Sequence, residues 1–295
     1  MAKSDLPGPD TSTVERGSGL PLVLIPGLQG RWEYMRRTVD ALAAFSRVIT
    51  FPLCDEPAAG CRFIEARGLD NYVDQIVRAL DERHLPAAVL CGVSFGGIVA
   101  LRCAARHPAR VSALVVVSAP GPGWHLKPRH EIYTRVPWLF GPFFLAETPW
   151  RLRRELKMAL PALSDRLGLA LEQLWTLATA PVSVSRMAQR ARLIASFRAE
   201  ADCALITTPT LIVHGEPALD HVVEVEGTSR YASLIAGSHS VLLTGTGHLG
   251  SITRPLPFAA TIRDFVCHSA STRGHPVGST QPATPGRPEM HNAAR

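Results

Sequence analysis

The sequence predicts an α/β protein: a mostly parallel, doubly wound sheet with one helical insertion. Three observations carry that expectation. Short apolar runs of strand length alternate with longer segments of helical period. Those runs are apolar at successive positions rather than at every second one, as in strands covered on both faces. The alternation breaks once, over residues 121–197, where no strand-like run occurs, and resumes at Pro209.

Residues 1–19 are polar, rich in Gly, Pro, Ser and Thr and without periodicity, which predicts a disordered N-terminal tail. Residues 20–25 (LPLVLI) read as the first strand, and Pro26-Gly27-Leu28-Gln29-Gly30 as a turn-rich loop. A helix is expected over 32–45, with Met35, Val39, Leu42 and Ala43 on one face. Residues 47–51 form a second strand, followed by a loop over 52–68 that holds Cys54 and Cys61. Asp70 is placed to cap a helix whose Val73, Ile76, Val77 and Leu80 make a stripe at i, i+3, i+4, i+7. Residues 87–91 are an apolar strand, 98–105 a helix stopped by His107-Pro108, and 111–118 another buried strand.

In the insertion, helical patterns cover 150–160, 163–177 and 184–197. Four of the five tryptophans, Trp124, Trp138, Trp150 and Trp175, fall there with Phe143 and Phe144. Set across the carboxyl ends of the strands, the insertion would be a cap, its rings either lining an apolar pocket or fastening it to the sheet. After it come a strand ending at Val213, a loop with Asp220, a helix over 228–236, a strand over 240–243, a glycine-rich loop with His248 and a closing helix over 255–268. The domain reading is therefore a core of 20–120 and 202–268, a cap of 121–201, and a disordered C-terminal tail from 269 to 295.

Composition narrows the function. Apolar content of 46% and charged content of 19% fit a soluble globular chain, and the apolar runs are too short to span a bilayer. No apolar centre of a signal peptide stands in the first residues, so a cytoplasmic location is the default expectation, with no membrane partner. Six scattered cysteines show no zinc spacing and read as free thiols, several buried. The net charge is +6, but its densest cluster, Arg151, Arg153, Arg154 and Lys157, lacks interleaved aromatics and reads as a solvated helix face rather than a nucleic-acid site. No dinucleotide fingerprint, metal cluster or phosphate loop is present, so no cofactor is expected.

The chemistry concentrates at Gly92-Val93-Ser94-Phe95-Gly96, a Gly-x-Ser-x-Gly between a strand and a helix. A strand that turns sharply into a helix holds the turning residue in a strained conformation. Glycines two before and two after relieve the crowding and leave the serine exposed. The motif alone is short enough to recur by chance as an incidental serine in a glycine-rich turn; its strand–turn–helix context makes it informative.

The order of strand, Gly-x-Ser-x-Gly, helical insertion, acid loop and glycine-flanked histidine resembles the α/β-hydrolase superfamily, over roughly residues 20–267. The resemblance implies Ser94 as nucleophile, His248 as the base that takes its proton, and Asp220 as the acid that orients the imidazole. Asp220-His221-Val222-Val223 is similar to the acid step of related hydrolases. The spacing from Gly215 is longer than usual in the family, which leaves Glu216 as the alternative acid. By the same resemblance the oxyanion hole is the N–H of Phe95 and of Leu28, with Pro26 standing where the family often has histidine. Gln29 is a candidate polar contact. The expected activity is cleavage of a small or medium carboxylic ester, with an apolar acyl or ring compound as substrate. The same triad on a lactone, amide or carbon–carbon bond is the alternative, and a non-catalytic ligand-binding protein of this fold the third reading.

Overall fold

A computed structural model describes residues 12–273. Its sheet has seven strands: β1 (Val14–Arg16), β2 (Leu20–Ile25), β3 (Ser46–Thr50), β4 (Ala88–Val93), β5 (Val111–Val117), β6 (Thr210–His214) and β7 (His239–Leu242), in the order β1-β3-β2-β4-β5-β6-β7. Every pairing except β1 with β3 is parallel. The helices are α1 (Arg36–Ala43), α2 (Asp70–Asp81), α3 (Phe95–Arg106), α4 (Pro128–Arg135), α5 (Pro137–Ala159), α6 (Leu163–Thr179), α7 (Val184–Ser196), α8 (Ala199–Cys203), α9 (Val225–Ser229), α10 (Tyr231–Leu234), α11 (Gly250–Thr253) and α12 (Pro255–Arg273).

The unbroken apolar runs have the expected cause. Successive side chains of a strand point to opposite faces. Val23, Ile25, Leu90, Leu114, Val116 and Ile212 pack with α2 and α3 on one side, while Leu22, Leu24, Cys91, Val115, Val117 and Val213 pack with α1 and α12 on the other. Cys54, Cys91, Cys103 and Cys203 are buried free thiols, and they act as small apolar side chains.

The structure corrects the sequence reading at several points. Residues 14–16 lie in the stretch assigned to a disordered tail, yet they form β1. They carry no apolar pattern because β1 is an edge strand held by ladder hydrogen bonds to β3 and by Glu15, which takes Arg47 (2.7 Å) and Arg83 (2.6 Å). At the other end α12 continues past 268 to Arg273. The rest of both tails, residues 1–11 and 274–295, lies outside the described residues. Asp70 is the first helical residue rather than a side-chain cap, and its carboxylate pairs with Arg102 at 2.9 Å.

Between β5 and β6 the chain builds α4 to α8. α5 is a single helix from 137 to 159 that runs through Pro142 and Pro149, two residues that a sequence reading takes as breakers. α4, α5 and α7 pack on one another. α7 is also joined to the core by Arg190, a fully buried guanidinium that binds Asp55 (2.7 Å) and Glu56 (2.5 Å), both from the loop after β3.

Removing one partner of a buried ion pair strands the other charge without water. Arg190→Met is therefore expected to lower stability by about 3–5 kcal/mol, read as a fall in the urea midpoint. A variant that unfolds at the wild-type midpoint would show that the cluster holds nothing together.

Candidate active site

Because β2, β4, β6 and β7 are parallel, the loops that leave their carboxyl ends open on one edge of the sheet. Those loops carry residues 26–30, Ser94, Asp220 and His248 respectively. The edge of a doubly wound sheet at its strands' carboxyl ends is where such folds place ligands.

Ser94 takes φ 55° and ψ −115°, a conformation that L-residues rarely adopt and that costs on the order of 1–3 kcal/mol. Two glycines permit it. A Cβ on Gly92 would run into the carbonyl of Gly96, and a Cβ on Gly96 into the carbonyl of Ile25. The backbone is pinned from both sides: Ser94 N–H donates to Val117 (2.8 Å), and Gly97 N–H donates to the Ser94 carbonyl (2.9 Å). The Ser94 side chain sits at the amino end of α3, and Phe95 opens that helix, so its N–H is among the donors that the helix leaves uncommitted.

The loop after β2 lies directly on this turn. A Cβ at Gly27 would sit 3.5 Å from the Ser94 Cβ and 3.4 Å from Gln29 Oε1. The loop turns through a Gly30-to-Gly27 bond (2.9 Å), and the Leu28 carbonyl accepts a hydrogen bond from Arg190 Nη1 (2.8 Å). The same arginine that joins α7 to the core therefore also braces Leu28.

Asp220 is buried in the loop after β6. Its Oδ1 accepts the amides of Val222 and Val223, each at 2.9 Å, while Oδ2 faces His248 Nδ1 at 3.4 Å. Burial alone would raise the Asp220 pKa; the His248 ring and the two amides outweigh it and hold the carboxyl below its usual range. For His248 burial works downward, but Asp220 outweighs it and, with Glu155, raises the imidazole above its ordinary value, while Arg151 opposes. Glu216, the alternative acid, is engaged elsewhere. Its Oε1 accepts the Gly245 amide (2.7 Å), and its N–H donates to Thr246 (2.7 Å), so it shapes the loop that leads to His248.

A cavity of about 120 Å³ lies beside Leu28 and Val222, under the helices inserted between β5 and β6. Trp124, Leu126, Tyr133 and Met187 line it, and its wall is almost wholly apolar, with His130, Thr134 and Arg151 among the polar residues at it. Of the four inserted tryptophans only Trp124 lines it. Trp138, Trp150 and Trp175 are exposed, and Trp150 stacks under the Arg153 guanidinium at 3.3 Å. Arg151, expected on a solvated face, instead borders the cavity and donates to the His221 carbonyl at 3.0 Å. Among the described residues, no three His, Cys, Asp or Glu side chains stand together as a metal site, and no helix is long and apolar enough to cross a membrane.

Sequence reasoning missed two side chains. Arg190 and Glu155 lie in helices that also carry other charged residues, where nothing local separates a buried ion from a solvated one.

A family model described as "alpha/beta hydrolase fold" matches residues 5–255. The 2-hydroxymuconate semialdehyde hydrolase of Pseudomonas sp. (strain CF600) is 28% identical over 275 residues, which is 88% of this chain and 91% of that one. Two solved structures share the fold. An esterase from Exiguobacterium antarcticum superposes with a TM-score of 0.73 at 19% identity, over 86% of this chain and 94% of that one. An enol-lactonase from Burkholderia xenovorans LB400 gives 0.69 at 18%, over 86% and 95%.

The paired shifts at Asp220 and His248 have opposite consequences. A carboxyl held below its unfolded pKa stabilises the fold at higher pH and loses that contribution as pH falls through the folded value. An imidazole held above its unfolded pKa stabilises the fold at lower pH and loses that as pH rises through the folded value. Asp220→Asn removes the negative charge that favours protonation of buried His248. Its stability loss is expected to be larger near pH 5.5 than near pH 9. Chemical denaturation at both pH values checks this, and an equal loss at both would refute the coupling.

Proposed function

The chain belongs to the alpha/beta hydrolase fold family, and from that premise we propose that it is a serine hydrolase, cleaving small or medium carboxylic esters through an acyl-enzyme. The observation that carries the reading is one shared edge: the strained Ser94 turn and the hydrogen-bonded His248–Asp220 pair both leave carboxyl ends of parallel strands.

In this reading His248 Nε2 takes the Ser94 hydroxyl proton as Oγ attacks the ester carbonyl. Asp220, held to Nδ1, keeps the imidazole oriented and stabilises its protonated form. The charge that develops on the carbonyl oxygen goes to the N–H groups of Phe95 and Leu28. The first is an open donor of α3, and the second sits in a loop packed against the serine turn. The protonated imidazole then gives its proton to the departing alcohol. A water, deprotonated by the same nitrogen, releases the acid. The helices between β5 and β6 act as the cap, and the apolar cavity beneath them receives the acyl or ring portion of the substrate.

A second reading keeps this machinery and changes the bond, to a lactone, an amide or a carbon–carbon bond. It is favoured by the relative from Pseudomonas sp. (strain CF600), whose named substrate is not an ester, and by the enol-lactonase fold match.

Ser94→Ala is expected to lose hydrolysis of p-nitrophenyl esters by about a thousandfold or more, together with labelling by a fluorophosphonate probe. Undiminished hydrolysis in that variant removes the serine mechanism, and a folded wild type that takes no probe favours a ligand-binding role. A parallel panel of esters, lactones and amides separates the first two readings. Filling the cavity with Ala188→Phe should shift preference toward shorter acyl chains by about tenfold in kcat/KM; an unchanged chain-length profile would place the acyl group elsewhere.

A further inference from the structure

Glu155 of α5 is completely buried, although it belongs to the inserted helices. Its Oε1 accepts the Leu249 amide at 2.7 Å, with the Gly247 amide beside it. Those two amides flank His248 in sequence. Its Oε2 is also shut off from water, and no hydrogen bond to it exists among the described residues. The charged and titratable groups around it are His248 and Asp220 from the core loops, with Arg151 one turn earlier on α5 acting on the same imidazole.

A buried carboxylate is costly, and fastening one backbone amide does not require it, since a neutral amide oxygen would serve. The choice of a carboxylate has a consequence that a neutral acceptor lacks: its charge favours the protonated form of the neighbouring imidazole.

We infer that Glu155 is a positioning residue that acts on His248 from the inserted helices, fixing the histidine loop through the Leu249 amide and strengthening the imidazole as a proton acceptor. The inference rests on the reading in which His248 is the base. Burial pushes the Glu155 carboxyl up to about 6, against the pull of the amides and of His248. The carboxyl therefore carries charge at neutral pH and surrenders it in mild acid, while the acceptor oxygen remains.

The test separates charge from anchoring. Glu155→Gln retains a carbonyl oxygen for the Leu249 amide and removes the charge. In the full-length protein, the His248 imidazole titration followed by NMR is expected to move to lower pH by about half a unit or more. The acid limb of fluorophosphonate labelling should move the same way. Glu155→Met, which also lacks the acceptor, should slow labelling about tenfold at every pH. An unmoved His248 midpoint in Glu155→Gln, with labelling at the wild-type rate, would reduce Glu155 to a structural anchor and overturn the inference. Should Glu155→Gln fail to fold, the coupling is read in reverse. In His248→Gln the Glu155 carboxyl midpoint, followed by carbon-13 NMR, must rise by the same amount, because such coupling is reciprocal; no rise overturns the inference. Absence of probe labelling in folded wild type would instead defeat the Ser94–His248 reading, and the NMR titrations report the coupling independently of it.

Discussion

The approach of α3 to β4 constrains everything around it. Gly92 meets the Gly96 carbonyl, Gly96 meets the carbonyl of Ile25, and no side chain fits at either place. That contact lets the backbone reverse at Ser94 with a positive φ, and it aims the amino end of α3 at the serine. It also brings the end of β2 into place, so the loop with Leu28 lies against the same turn. The strain at Ser94 is small beside the surrounding burial: β4 is buried at every position, as are ten of the twelve residues of α3. A rigid, over-determined scaffold of this kind can hold a side chain in a conformation that it would not choose by itself.

The inserted helices are tied to this scaffold by buried ions as well as by apolar contacts, with Ile194, Ala199 and Cys203 joining the core beside α3. Arg190 reaches from α7 to Asp55, Glu56 and the Leu28 carbonyl, and Glu155 reaches from α5 to the Leu249 amide. The Leu28 and Leu249 contacts end on the loops that carry a candidate oxyanion donor and His248, while Asp55 and Glu56 stand in the loop after β3. Elsewhere the insertion leaves Trp138, Phe143, Trp150 and Trp175 largely exposed. Polar anchors of fixed geometry locate the helices over the carboxyl ends of the strands, and an apolar cavity is left between them and the sheet.

Ser94, Asp220 and His248 stood out as candidates because each sits in a local pattern: glycines about a strand–helix turn, an acid after an apolar strand, a histidine in a glycine-rich loop. The structure places Asp220 on His248 and turns Glu216 toward Gly245, a choice between two acids in one loop that spacing left open. Glu155 and Arg190 had no such pattern, since Arg153-Arg154-Glu155-Leu156-Lys157 is also what an exposed helix face looks like. β1 escaped for a related reason: an edge strand of three residues, two of them exposed, has no buried face to write an alternation into the sequence.

The amino-acid order by itself determined the alternation of buried strands and covering helices, the turn at Ser94 and the single interruption of the rhythm. Each of these depends on residues within a few positions of one another, where hydrophobic period and glycine stereochemistry act directly. Only the tertiary structure decided which carboxylate meets the imidazole, which tryptophan faces the cavity and which charges are buried. Those outcomes depend on how far water is excluded by segments distant in the chain, and burial of that kind has no local signature.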